Sequence, residues 1–239
     1  MSAVSVMQPA YLPWLGYFDR VAKSDLHVVL DHVEMDKSSQ TKFTNRNRVR
    51  TPSGWTWLTV PVRTKGECSR MPIRNLSIVQ DSDWARKHWN SIRGNYARAK
   101  CFREHATFFE GLYRNRWELL EPLISETTSY LLHAFNISTK LIRSSDLDPQ
   151  KTKSDLILEL CYKVNAKVYI SGPFGRDYLN SVAFAEADIE IRYHDYPHPE
   201  YQQAFNGFEP YMSAIDLLFN HGSKSRGILE SPADSLKSE

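Results

Sequence analysis

The chain has 239 residues, 41% of them hydrophobic and 12% aromatic, which is enough to bury a full core as one domain, with or without an insertion. A net charge of +2 is too small to argue from bulk balance for a nucleic-acid partner or a polybasic membrane patch, so only local clusters can carry that case. Cys68, Cys101 and Cys161 are odd in number and share no metal-ligand spacing, which excludes a disulfide framework, leaves no metal to expect and points to the cytoplasm; no stretch approaches the ~20 apolar residues of a membrane span, and the N-terminus lacks the pattern of a signal peptide.

Residues 2–7 read as a buried strand, 8–13 as a rigid turn and 16–22 as a helix, with Pro13 where its missing N–H is not needed. From Met7 to Phe18 the chain packs two prolines, one glycine and four aromatic rings. An aromatic plug that closes the core is the plain reading, but Gln8 puts a polar amide at the strand end where core closure wants an apolar residue. Trp14, Tyr17 and Phe18 are expected to order a pocket entrance as well as the core.

Residues 26–31 form a second strand, and 57–63 with 73–79 read as two more, a hairpin bridged by the loop 66–72. From 83 to about 135 the period becomes helical, with Trp84, His88, Ile92 and Tyr96 on one face and Phe108, Leu112, Leu119, Leu120 and Leu123 continuing it. Strands at 139–143, 168–171 and 189–194 alternate with helices at 154–164 and 176–186. The expected fold is therefore α/β, a Rossmann-like parallel-sheet core with right-handed crossovers, in which residues 1–222 form one domain with a helical insertion at about 83–136 and 223–239 form a flexible tail.

On that skeleton Gln8, Asp31, Ser144 with Ser145, Ser171 with Gly172, and Asp195 each fall at or just past a strand's carboxyl end. In an open parallel sheet that rim is where ligands bind; capping of the following helices is the alternative for any one of them. The run Ile170-Ser-Gly-Pro-Phe-Gly175 can aim N–H groups at an anion, or is a plain tight turn. Arg46 and Arg48 flank Asn47 and follow Asn45, and on a strand both guanidinium forks point to one face, which suits a phosphate or carboxylate; a solvated or RNA-contacting loop is the rival. His88 lies on the apolar side of its helix and reads as a core histidine, whereas His198, between two prolines beyond the last strand, is a fixed imidazole suited to general-base work. Cys161 is on a buried helix face, and neither it nor Cys101 has an activating partner nearby in sequence. Asp216 and Asn220 lie one turn apart on an N-capped helix, where they close the pocket or face water.

The opening motif, Asp25 and Asp31 around a strand, Thr-Asn-Arg-Asn-Arg48, residues 58–61, Tyr-Ile-Ser-Gly172, His-Pro-Glu-Tyr201 followed by Gln203, and Ser213-Ala-Ile-Asp-Leu-Leu-Phe-Asn220 occur in an order that resembles the WbqC-like family, from about residue 7 to 222. The segment 36–43 is longer than that family's usual spacer, so Lys37 and Lys42 both stand as matches for its basic position. The resemblance implies a protein of bacterial surface-polysaccharide (O-antigen) gene clusters, suggested to attach an amino-acyl group such as glycine to an amino sugar. The expectation that follows is an N-acyltransferase-like enzyme acting on the amine of a nucleotide-linked amino sugar. His198, with Asp31 near it, would be the catalytic base, and Gln8, Tyr11, Tyr17, Asn45, Arg46, Arg48, His88, Ser171, Gly172, Tyr201, Gln203, Asp216 and Asn220 would bind substrate. The donor is open among a carrier-protein or coenzyme A thioester, an acyl-nucleotide and a charged transfer RNA, with an acyl-carrier protein as a partner. A non-catalytic sugar- or nucleotide-binding scaffold and an RNA-associated factor are the alternatives.

Overall fold

The structure, a computed structural model, describes residues 2–35, 43–64, 70–230 and 235–238; Lys37, Lys42 and Cys68 lie outside them. In chain order the elements are β1 (Ala3–Met7), α1 (Leu15–Ala22), β2 (Leu26–Val29), β3 (Arg46–Thr51), β4 (Gly54–Thr59), α2 (Trp84–Tyr96), α3 (Phe102–Arg114), α4 (Leu120–Ala134), β5 (Lys140–Arg143), α5 (Lys153–Lys163), β6 (Val168–Ser171), α6 (Ser181–Glu186), β7 (Glu190–His194), α7 (Ala214–His221), α8 (Ser225–Leu229) and β8 (Leu236–Ser238). The main sheet has the order β5-β2-β1-β6-β7-β8, parallel throughout except for β8. It carries helices on both faces, the α/β Rossmann-like arrangement expected, and the three helices α2 to α4 are inserted between β4 and β5.

Alternation along the strands sorts the two layers. Val4, Val6, Val28, Tyr169 and Ile191 point to one face and bury Leu156, Leu160 and Cys161 of α5 and Phe184 of α6. On the other face Leu15, Phe18 and Val21 of α1 join the inserted helices, the β3–β4 hairpin and α7 in a larger core. On this second face apolar strand residues such as Val168 and Ile170 are interrupted by the polar Ser5 and His27. Ser5 of β1 shares a 2.8 Å hydrogen bond with His27 of β2, whose Nε2 lies 3.2 Å from the Tyr17 hydroxyl, and all three are buried under α1.

Two expectations change. Residues 57–63 do not form a hairpin with 73–79: Trp57 belongs to β4, whose partner is β3, residues Ile73–Asn75 are a turn of 3-10 helix, and the two segments meet antiparallel at Val62 and Ile78 only. The closer partner wins because Pro52 and Ser53 close a short loop, with Gly54 at φ 124° supplying the left-handed residue of the turn. In the run Arg-Asn-Arg-Val-Arg-Thr51 the inward residues include the polar Asn47, which weakens the apolar alternation that would announce a hairpin partner. The tail past Gly222 holds α8, anchored by the fully buried Leu229, and then β8, paired with β7 through Tyr193 and Lys237. A sheet edge offers backbone partners to any strand whatever its composition, so a polar tail can still pair. Among the described residues no helix is long and apolar enough to cross a membrane.

Two stability predictions follow from this packing. Burial pushes the His27 imidazole down to about 3 and that of His88 to about 4, so the folded chain holds both neutral. Below about 6.5 the unfolded chain takes up protons that the folded chain refuses, so each histidine withdraws about 2 kcal/mol of stability by pH 5. Melting temperature is expected to fall steadily from pH 7 to pH 5; a flat profile would mean that the two rings ionise in place. A methyl group at Gly16 would lie 2.7 Å from Cζ3 and 2.8 Å from Cζ2 of Trp14. Gly16→Ala must therefore displace the indole from its edge contacts with Tyr196 and Tyr211, and urea denaturation should show a loss of about 1–3 kcal/mol.

Candidate functional site at the carboxyl rim of the sheet

From β1 the chain passes through α1 to β2, toward one edge of the sheet, and from β6 it passes through α6 to β7, toward the other. With α1 and α6 on opposite faces, strand order reverses between the adjacent strands β1 and β6, and their carboxyl ends bound the crevice where open α/β sheets hold ligands. Because the first five strands are parallel, Gln8, Asp31, Ser144, Ser171 with Gly172, and Asp195 do share one rim.

The turn leaving β1 ties the rim together. The Tyr11 N–H donates to the carbonyls of Phe43 and Thr44, both at 3.1 Å, the Leu12 carbonyl accepts from Asn47 Nδ2 at 2.6 Å, and the Pro13 carbonyl accepts from the Ala214 N–H at 2.8 Å. Leu12 is fully buried at φ 47°, a left-handed backbone that leucine rarely adopts and that these bonds enforce. Gln8 donates to the Glu34 carbonyl at 3.3 Å and accepts from Thr44 Oγ1 at 3.5 Å, so it spans the two chain ends that flank residues 36–42. Asn45 donates to the Val60 carbonyl at 2.9 Å. Both amides position backbone.

The hairpin bolted to this turn carries the basic face. Arg46 stacks 4.3 Å above the Trp57 ring, and Arg48 lies 4.6 Å from Trp55 and 5.1 Å from Trp57. Trp55 is 41% exposed. Arg48 forms no ion pair among the described residues, and its Nε is buried without an acceptor. Arg50, the third guanidinium of this face, is 3% exposed and fully used: it donates from Nε to Gln203 at 3.1 Å, from Nη1 to Gly54 at 2.7 Å and from Nη2 to the Asn206 carbonyl at 2.7 Å.

Asp216 lies at the centre of the neighbouring network. It is fully buried, away from water, and accepts from Tyr96 and Tyr201 hydroxyls at 2.9 Å and from Gln203 Nε2 at 3.0 Å. Burial pushes its carboxyl above the ordinary aspartate range, against the pull of those donors. Asn220 donates back to the Asp216 carbonyl at 2.7 Å. Tyr201, Gln203, Asp216 and Asn220, expected to bind substrate, thus brace the 201–209 segment against α7.

The expected catalytic pair is also taken up by the fold. His198 Nδ1 donates to the Pro199 carbonyl at 2.9 Å and Nε2 accepts the Tyr211 N–H at 3.1 Å, which leaves neither nitrogen open to a substrate proton; burial lowers its pKa further. Asp31 accepts from Ser144 Oγ, from the Ser145 N–H and from Ser145 Oγ, at 2.9, 2.9 and 2.6 Å, and so closes the turn after β5. It is not near His198, since β1 and β6 stand between their strands. Tyr11 and His88 share a 2.9 Å hydrogen bond in the core, with the Tyr113 hydroxyl beside them. Ser171 is buried and donates to the Gly172 carbonyl at 3.1 Å.

The structure adds groups that the sequence reading missed. Arg20 of α1 reaches over the switch point, where a Cβ at Gly172 would lie 2.8 Å from its Nη2, and its Nε approaches His194 Nδ1 at 3.5 Å; the other nitrogen of His194 meets Asp19 at 2.6 Å. Between α4 and β5 runs a groove of about 550 Å³, reaching the rim at Pro9 and Arg143 and lined by Tyr17, Glu121, Ser125, Thr128 and Ser129. Its helix hydroxyls stand at i, i+3 and i+4, a spacing legible in the sequence but masked there by the stronger apolar period of the same helix. No cluster of three or more metal-ligating side chains forms among the described residues. The rim can therefore offer guanidinium and indole on the hairpin, and hydroxyls with carboxylate in the groove.

No solved structure matches this chain. The uncharacterized protein Rv1507c of Mycobacterium tuberculosis is 35% identical over 231 residues, which cover 94% of this chain and 96% of that protein. Residues 8–228 match the WbqC-like protein family, so that the opening turn, the hairpin, the inserted helices and the Asp216 network all fall inside the match. The chain belongs to the WbqC-like protein family.

Proposed function

We propose that this protein is a cytoplasmic transferase that joins an acyl or amino-acyl group, glycyl among them, to the amine of a nucleotide-linked amino sugar in surface-polysaccharide biosynthesis. The observation that carries this reading is the Arg46 and Arg48 face, two guanidinium groups laid on the indoles of Trp55 and Trp57 with the Arg48 Nε lacking an acceptor. A sugar nucleotide brings a diphosphate and a flat base; guanidinium forks suit the first and an exposed indole the second. In the reaction the neutral amine attacks the acyl carbonyl of a thioester or other activated donor, the new C–N bond forms as the donor's leaving group departs, and the amine proton passes to a base. The free Cys101 and the buried, free Cys161 accord with a reducing compartment.

The internal commitment of His198 and Asp31 favours one second reading, a nucleotide-sugar-binding scaffold without catalysis. Incubating the protein with nucleotide amino sugars and candidate donors, followed by mass spectrometry of the sugar, separates the two: an acylated product supports the transferase, and tight binding with no product supports the scaffold. Replacing both Arg46 and Arg48 by alanine should weaken nucleotide-sugar binding by about 1.5 kcal/mol per lost contact, roughly tenfold each, with the melting temperature nearly unchanged. Arg50→Ala should instead lower stability by about 3 kcal/mol or more, because it strands buried carbonyls and the Gln203 amide. If the double variant unfolds, or binds as well as the parent, the basic face is structural.

A further inference from the structure

We infer that the groove between α4 and β5 is the seat of the acceptor's sugar ring, and that it selects a polyhydroxylated ring carrying a free amine. This rests on the reading of the protein as an amino-sugar transferase and names where that acceptor sits. At about 550 Å³ the groove falls in the range of small-molecule sites, ~300–1,000 Å³. It opens at the rim, beside the carboxyl ends of β1, β2 and β5, where Pro9, Val29 and Arg143 line it.

Its α4 wall is a row of hydroxyls. Ser125 and Ser129 are one turn apart and exposed, with Thr128 between them. Thr127, which faces the core, meets its hydrogen-bonding need inside the helix by donating to the Leu123 carbonyl at 2.7 Å. Thr128 does not: it is 4% exposed, and its Oγ1 is buried with no partner. A buried hydroxyl left unpaired opposes folding, and a hydroxyl-rich ligand in the groove would supply the missing bond.

Charge at the mouth sets the ligand class. Glu121 is nearly buried and meets a single donor, Arg143 Nε at 3.3 Å from Oε1, so Oε2 has no partner among the described residues. Asp146, exposed and also lining the groove, pairs with no cation among the described residues. Two carboxylates against one guanidinium disfavour a phosphate or a carboxylate here and favour an ammonium, while the diphosphate end of a sugar nucleotide is left to the arginines of the hairpin.

The test uses free sugars and the full chain. Glucosamine, N-acetylglucosamine and glucose are titrated by ligand-observed NMR and calorimetry into the parent protein, Thr128→Val and Glu121→Gln. Glucosamine should bind at least about fivefold more tightly than the two sugars without a free amine. Thr128→Val should weaken all three while leaving the melting temperature unchanged or raised, as expected when an unpaired hydroxyl is removed and shape is kept. Glu121→Gln should abolish the preference for glucosamine and leave a residual, amine-blind affinity. Uridine diphosphate binding, measured in parallel on the Arg46 and Arg48 double variant, reports the hairpin separately. Glucosamine binding that depends on Thr128 and Glu121 without any nucleotide binding upholds the groove and removes the nucleotide reading. Nucleotide binding with no sugar binding, or with sugar binding that both groove variants leave intact, overturns the groove.

Discussion

The backbone hydrogen bonds of the turn after β1 are the constraint on which the rest of this molecule depends. Three consecutive residues, Tyr11, Leu12 and Pro13, give their main-chain groups away from their own segment: to the loop leading into the hairpin, to Asn47 of the hairpin itself, and to the first turn of α7. The Ser213 N–H, one residue earlier, donates to the Arg48 carbonyl at 2.9 Å and closes the triangle. Prolines at 9 and 13 remove competing N–H donors and narrow the backbone of the turn, so that its carbonyls are held outward before anything docks on them. The hairpin and α7 are distant in sequence, and this turn and the Ser213–Arg48 bond hold them together.

Three arginines on one strand face show how burial sorts one residue type into different settings. Arg50 lies under the 203–209 segment and spends its donors on fixed carbonyls and Gln203; Arg46 and Arg48, a few residues earlier, stack on indoles at the open end of the hairpin. The same residue type, at alternate positions of one strand, thus braces buried backbone at one end and stacks on indoles at the other. Asp216 completes the contrast, since a carboxyl with three donors and no exposure is held inside the structure, away from any solvent-borne group.

The layer beneath α1 sets buried polar side chains among apolar strand residues such as Val168 and Ile170. Ser5, His27 and Tyr17 form one buried chain, and Asp19, His194 and Arg20 another, both directly behind the carboxyl ends of the central strands. Such groups are tolerated only when each is paired, and the pairing fixes the tilt of α1, which carries the opening aromatic residues. Two tyrosines of that opening motif accordingly end in different settings: Tyr11 deep against His88, Tyr17 on the wall of the groove.

By itself the sequence determined the parallel sheet, the helical insertion and the rim, because these rest on local signals: β-branched runs, period-3.6 spacing, and turns rich in proline and glycine. It also singled out Arg46 and Arg48, since alternation on a strand needs no tertiary knowledge. Only the tertiary structure decided which polar residues are free. His198, Asp31 and Asp216 look available in one dimension and are engaged in three, by partners such as Tyr211, Ser145 and Tyr96 that lie 13, 114 and 120 residues away. Thr128 and Glu121 look like ordinary helix residues and become distinctive only when β5 closes the space beside them. Hydrogen-bond satisfaction is a property of the packed chain, and a site is made of what packing leaves unsatisfied.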